Sequence, residues 1–369
     1  MNDVATEWVS LESPTMPRAG HGSRPCQGLY HRPAGVKPSV AFIAAHYNVD
    51  FAEHYLAEHL AARGFGFLGW NTRYRGNEAY FLLEHALVDI GVGVRWLREH
   101  AGAETVVVLG NSGGGSLMAA YQSQATDAHI TATPGMGLPD AVGDLPAADL
   151  YVSLNAHPGR PEVLTSWFDP SVVDESDPVS ADPSLDMFAA TRTPPYDAEF
   201  IDRYRRAQED RNHRITHWAN DELARLADLG IYDRLFTISR TWADLRFADL
   251  TIDPSDREPG CYLGDPKRAN YSPFGIGSTC TLRTWLSMWS LESSPCRGAP
   301  HLQRIAVPSL VIQSTGDRGV FPSDAQAIHR ELAAAEKELQ MVTGQHYFED
   351  GGRDDIADLI AGWTEAHRG

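Results

Sequence analysis

Residues 105–121 read TVVVLGNSGGGSLMAAY, and the fold turns on this stretch. Thr105 to Leu109 is a β-branched, apolar run, as suits a strand buried on both faces. Gly110-Asn111-Ser112-Gly113-Gly114-Gly115 is a glycine-dense turn, and Leu117, Met118, Ala119 and Ala120 are good helix formers. Strand, tight turn and helix are therefore expected in that order. The turn spells G-x-S-x-G, which sets Ser112 on a strained strand-to-helix elbow with its hydroxyl clear of the sheet edge. Small neighbours are needed there because the elbow backbone is crowded. The N-terminus of the following helix favours negative charge developing near that hydroxyl. A phosphate-cradling loop is the competing reading, but no Lys follows Gly115, so the phosphate-loop pattern fails.

Working outward toward the N-terminus, Ser39 to Ala45 is a second continuous apolar run. Phe51 to Arg63 carries apolar residues at helical spacing and ends at Gly64. Phe65 to Trp70 is the next strand. Phe81 to His100 is a helix with Leu83, Leu87, Ile90, Val94 and Leu97 on one face. This alternation of strands and helices predicts a parallel α/β sheet. Ahead of it, Trp8 to Leu11 and Gln27 to Arg32 are expected to pair antiparallel, with a turn-rich Pro14 to Pro25 between them. Gly64 to Gly69 spells G-x-G-x-x-G. It leaves a helix and enters a strand, the reverse of what a dinucleotide site requires, so a Rossmann dehydrogenase is demoted.

Toward the C-terminus, Asp149 to Asn155 reads as a strand broken by His157-Pro158-Gly159. The sheet pattern then stops until Pro308 to Gln313. Within the gap, Pro170 to Pro195 is expected to be irregular. Asp197 to Gly230, Tyr232 to Ala248 and Thr279 to Trp289 are expected to be helical. Ser323 to Ala335 reads as a helix capped by Ser323, Leu339 to Val342 as a last strand, and Asp354 to Trp363 as a closing helix. The expected organisation is a core over residues 1–158, a mainly helical insertion over 159–300 and the rest of the core over 301–369.

The 369 residues are enough for a core plus an inserted domain, and the 43% hydrophobic and 22% charged content is ordinary for a globular chain. A formal net charge of −18 disfavours nucleic acid and anionic membrane surfaces as partners. Cys26, Cys261, Cys280 and Cys296 have no C-x-x-C spacing and read as free thiols. The N-terminus has no signal-peptide pattern and no run approaches membrane-spanning length, so the expectation is a cytoplasmic protein. Self-association is left open.

A serine nucleophile needs a base, and the base needs an orienting acid. Active sites of parallel sheets lie at the carboxyl ends of the strands. Past Gln313 stands Gly316-Asp317, and past Val342 stands Gly344-Gln345-His346. The order Ser112, Asp317, His346 is the one that accompanies a G-x-S-x-G elbow. His213 and His217, four apart, have no evident third ligand, so no metal site is expected.

On these motifs the chain resembles the α/β-hydrolase superfamily, in particular its capped serine esterases and lactonases. Ser112 in GNSGG matches the nucleophile, Asp317 in G-D-x-x-V-x-P the acid, and His346 in G-x-H-Y-F the base. His46-Tyr47-Asn48 matches the H-G-x oxyanion loop, with Tyr47 in place of glycine. Asn71 to Gly76 resembles the D-x-R-G-like stretch, with Asn71 in place of aspartate. The likeness covers about 40–124 and 304–363. It implies an α/β-hydrolase fold, a mainly parallel sheet flanked by helices with a helical cap inserted after the sixth strand. It also implies hydrolysis of a carboxylic ester or lactone without a cofactor. By the same match, the backbone N–H groups of Gly113 and Asn48 would form the oxyanion hole.

Acyltransferases, thioesterases and carbon–carbon bond hydrolases share this triad, and a ligand-binding sensor on the same fold is the alternative of another class. The insertion's aromatic residues, Trp285 and Trp289 above all, together with Tyr47, are the candidate substrate-binding residues. They point to a bulky apolar or aromatic small molecule. The competing reading is that these aromatics only fill the insertion's own core.

Overall fold

The computed structural model describes residues 3–15, 22–177, 179–349 and 351–369. The turn-rich stretch expected between the first two strands lies partly outside them, at 16–21.

Eight strands form one sheet: β1 (Val4–Leu11), β2 (Cys26–Pro33), β3 (Val40–Ala45), β4 (Gly66–Asn71), β5 (Thr105–Ser112), β6 (Leu150–Ala156), β9 (Ser309–Ser314) and β10 (Lys337–Val342). Two short strands, β7 (Leu235–Thr237) and β8 (Thr279–Thr281), pair separately. The order across the main sheet is β1-β2-β4-β3-β5-β6-β9-β10. The β1–β2 and β2–β4 pairs are antiparallel, and every pair from β4 to β10 is parallel. β5 is thus central, and its carboxyl end lies among those of β3, β6 and β9.

The uninterrupted apolar runs are explained by two-sided burial. Val106 and Val108 pack with Ile43 and Leu68 beneath the helices α2 (Leu83–Trp96) and α3 (Gly114–Thr126). Val107 and Leu109 point the other way, with Phe42, Leu154 and Ile312, against α1 (Ala57–Ala62) and the closing helix Arg353–His367. Side chains alternate faces along a strand, so both alternate sets must be apolar. Each such side chain contributes roughly 1.5–3 kcal/mol on burial.

Several elements differ from expectation. The helix expected from Phe51 forms only over Ala57–Ala62. Its first residues are tied up locally: Ala52 N–H donates to Asp50 and Phe51 N–H to Asn71 Oδ1. These side-chain acceptors compete with the helical ladder. Tyr232 to Ala248 is not a helix: β7 pairs with β8, and Arg240 follows at φ +60. β8 likewise takes the start of the helix expected over Thr279 to Trp289. The helix expected to be capped by Ser323 runs Pro322–Glu331, with Asp324 accepting from the Phe321 amide.

The described residues between Pro170 and Pro195 are irregular, as expected. Between β6 and β9 the chain leaves the main sheet. This segment holds α4 (Arg160–Trp167), the 31-residue α5 (Ala198–Asp228), β7, β8 and short turns, so it is less helical than anticipated. All four cysteines are free and buried. Among the described residues no helix is long and apolar enough to cross a membrane.

Candidate active site

Ser112 ends β5 at φ +55, a left-handed conformation rare for a side-chain-bearing residue. The β5–β6 register shifts at Asn111/Ser112, and Gly113 begins the turn into α3. The glycines are required by close approach. A methyl on Gly114 would lie 2.3 Å from the Ala45 carbonyl oxygen, and one on Gly115 would lie 2.5 Å from Ala156 Cβ. The strain at Ser112 is held by its surroundings: its carbonyl accepts from the His157 amide at 3.0 Å, and Asn111 Nδ2 donates to Leu154 O. The Ser112 side chain is partly exposed.

Asp317 and His346 meet at the adjacent strand ends. His346 Nδ1 lies 2.5 Å from Asp317 Oδ2, and both side chains are nearly fully buried. The other carboxylate oxygen of Asp317 accepts from the amides of Gly319 at 2.9 Å and Val320 at 3.1 Å. His346 Nε2 is buried without a hydrogen-bond partner among the described residues. The structure thus brings Asp317 and His346 into contact and leaves the serine–histidine hydrogen bond unformed. Such bonds are often long before substrate binds.

The candidate oxyanion loop departs from expectation. The Asn48 amide donates to His46 Nδ1 at 3.2 Å, and so does the Val49 amide at 3.1 Å. Tyr47 explains this shape. Its ring is buried against Phe81, and its hydroxyl meets Ser116 at 3.0 Å, a position no glycine would hold. The Asn71–Gly76 stretch braces the loop: Gly76 N–H donates to Asn48 O, and Asn71 Nδ2 to Asp50. Beside them Arg73 and Asp89 form a buried bidentate pair.

Four further residues sit at the site that sequence reasoning missed. Asn155, at φ +42, accepts from the Ser314 amide at 2.7 Å and donates to His346 O at 2.9 Å. It ties the strand that leads to Asp317 to the loop that carries His346. Tyr262, from the segment between β7 and β8, has its hydroxyl 2.9 Å from Asp317 Oδ1 and 2.9 Å from His346 Nδ1. Burial, then the charge of Asp317, push its pKa well above the usual phenol value, so it stays a donor. Arg160 is buried, with Nη2 on Glu78 at 3.0 Å and its guanidinium over the rings of Trp289 and Tyr47. His157 packs edge-on against Trp167. Burial, then the charges of His346 and Arg160, hold its pKa well below the usual histidine value. Only Asn155 had a local signal, a polar residue at a strand end before a breaker.

The two candidate tryptophans divide. Trp289 lies under Arg160. Trp285 is enclosed by the insertion, its Nε1 donating to Thr216 of α5 and its ring stacked on Phe168. His213 and His217 both contact Glu292 Oε1. A cavity of about 820 Å³, lined by Trp218, Phe236, Arg214 and Glu175 among others, lies within the insertion and touches none of Ser112, Asp317 or His346.

No protein-family model and no curated protein matches the sequence. Solved structures do match in shape. GrgF, an α/β hydrolase from Penicillium sp. sh18, is 12% identical, with 98% of this chain and 99% of that one covered at a TM-score of 0.53. The chain has the α/β-hydrolase fold. DcsB, solved with its substrate analogue, is 11% identical over 98% of this chain and 99% of its own, at a TM-score of 0.50. A monoacylglycerol lipase from Paleococcus ferrophilus is 13% identical, with 99% of each chain covered, at a TM-score of 0.47. On the α/β-hydrolase frame, Ser112 occupies the strand-to-helix elbow, and the Asp317 and His346 loops follow later strands of the same sheet edge.

Proposed function

We propose that the protein is a serine hydrolase that cleaves a carboxylic ester or lactone. The observation that carries this reading is Ser112 at positive φ on the elbow, beside a buried His346–Asp317 pair at 2.5 Å. Ser112 Oγ attacks the acyl carbon while His346 Nε2 takes its proton. The carbonyl π electrons move to oxygen. As the tetrahedral intermediate collapses, the bond to the alcohol oxygen breaks and His346 returns the proton to it. Water then repeats the sequence on the acyl-enzyme and frees the acid. Asp317 holds the imidazole in its Nδ1–H tautomer. No metal or cofactor takes part in these steps.

In this reading the segment 159–300 is a cap. Arg160, Trp167 and Tyr262 all come from it and surround the reacting groups. Trp167, Tyr262 and Tyr347 present rings around His346 and His157, which supports an apolar or aromatic small-molecule substrate.

The test is an ester and lactone panel with the wild type and Ser112→Ala, together with fluorophosphonate labelling. Expected are a single adduct on Ser112 and a loss of roughly four to six decades in kcat in the variant. A Ser112→Ala protein with full activity would overturn the reading. Acyl transfer to an added alcohol in preference to water would reassign it as a transferase.

A further inference from the structure

The loop amide expected to complete the oxyanion hole is engaged elsewhere, and two side-chain donors stand in its place. We propose that the oxyanion of this enzyme is held by His46 Nε2–H and Arg160 Nη1–H beside the Gly113 amide, rather than by the Asn48 amide. The proposal rests on the serine-hydrolase reading and names the groups that stabilise its transition state.

The tautomer of His46 follows from its partners. Two backbone amides, Asn48 and Val49, converge on Nδ1 at 3.2 and 3.1 Å. An amide N–H can only donate, so Nδ1 must offer its lone pair. Burial, then the charge of Arg160, hold the ring's pKa well below the usual histidine value, which keeps it neutral. The single proton is then on Nε2. That atom faces the elbow: a methyl group built on Gly113 would lie only 2.6 Å from it. Nε2 has no protein partner among the described residues.

Arg160 arrives at the same place from the other side. Its Nη2 is spent on Glu78, whose other oxygen is fixed by the Gly277 amide at 3.0 Å. The guanidinium is steadied by Trp289 at 4.4 Å and Tyr47 at 4.9 Å from the ring centroids. Nη1 is left without a protein partner among the described residues, and it lies 2.8 Å from the same methyl position on Gly113. Two unspent donors, one of them cationic, therefore meet beside the residue after the nucleophile. Such preorganised donors act most strongly where negative charge develops, in a site closed to water. Tyr47 belongs to the same device. By replacing glycine it turns the loop so that its amides fix His46, and it gives Arg160 a ring to rest on.

The test is steady-state hydrolysis of an ester that the wild type turns over, using His46→Phe, Arg160→Met and Gly113→Ala. Inhibition by a trifluoromethyl ketone, which mimics the tetrahedral adduct, is measured alongside. Each substitution should lower kcat by about 100- to 1,000-fold, the range for loss of one oxyanion donor, with KM within about threefold. Affinity for the ketone should fall with kcat. Gly113→Ala removes no charge and no buried partner, so it tests the idea even if Arg160→Met, which strands Glu78, does not fold.

Folded variants that keep kcat within about threefold would overturn the proposal. So would losses confined to KM, which would make Arg160 a ground-state binding group instead. Failure of the underlying reading looks different: the wild type itself would take no fluorophosphonate on Ser112.

Discussion

Replacing Tyr262 by Phe removes one hydroxyl and leaves the ring. That hydroxyl is one of three donors on Asp317 Oδ1, with the Gly319 and Val320 amides. A hydrogen bond to a charged group contributes about 1.5–3 kcal/mol. Because two amides remain and Tyr262 is 37% exposed, the lower end applies. About 1.4 kcal/mol corresponds to tenfold in rate. The loss belongs in kcat, since in the proposed mechanism Asp317 and His346 act as the proton moves and not as substrate binds. Expected for Tyr262→Phe is therefore about a tenfold fall in kcat on a chromogenic ester, with KM within about twofold and the melting temperature little changed.

Gly319→Ala offers an independent route to the same defect. A methyl there would lie 2.4 Å from the Tyr262 ring and 2.6 Å from its hydroxyl oxygen, and would push that hydroxyl off Asp317 and His346 while leaving the tyrosine in place. An unchanged kcat in Tyr262→Phe, or a loss carried wholly by KM, would refute the argument that this residue of the insertion positions the proposed acid–base pair.

Other outcomes follow from the same structure. His301 is buried, accepts from Ser123 Oγ at 2.8 Å and donates to Pro295 O at 2.7 Å, and burial lowers its pKa to about 4. The unfolded chain takes up this proton near pH 6.5 and the folded one only near 4, so stability falls as pH drops across that window, by about 3 kcal/mol in all. His301→Gln should flatten that part of the urea-derived pH profile, and an unchanged slope would count against it. Asp89→Ala leaves the Arg73 guanidinium buried without its carboxylate and should cost about 3–5 kcal/mol in chemical denaturation. Trp285→Ala should cost about 3–5 kcal/mol of stability while leaving substrate preference alone. Trp289→Ala, which removes the support under Arg160, should lower kcat, and the reverse pattern would place Trp285 in the pocket.

The sheet was legible because its physics is local. Val40 to Ala45 and Val106 to Leu109 are apolar at every position, since each is sandwiched between two layers, and that pattern survives in any context. The insertion offered no such regularity. Tyr232 to Ala248 carries apolar residues at near-helical spacing, yet Ile238 N–H pairs with Ser278 O and Asp169 N–H with Arg240 O. Those partners lie far off in the chain, and a reading by periodicity has no access to them. The Phe51 helix failed for a nearer reason, a set of side-chain acceptors that capture its first amides.

The candidate site divides along the same line. Ser112, Asp317 and His346 each follow a strand at a glycine-marked turn, so their chain order and spacing announced them. The residues that shape their chemistry come from elsewhere. Tyr47 was noticed as a departure from glycine, and the departure has a consequence in space: the ring fills the position against Phe81, and the loop amides turn onto His46. Arg160 and Tyr262 belong to the insertion, where neither sits in a motif. They matter because the chain leaves the sheet at Ala156, beside the elbow on the neighbouring strand, and the insertion's two ends meet there, Gly298 N–H donating to Pro158 O and Arg160 N–H to Cys296 O, before the chain crosses to the amino end of β9. A segment rooted there can supply side chains to both sides of the nucleophile at once. Arg160 reaches Gly113 and Tyr262 reaches Asp317 and His346, so a change in how the insertion packs would alter the developing oxyanion and the proton relay together.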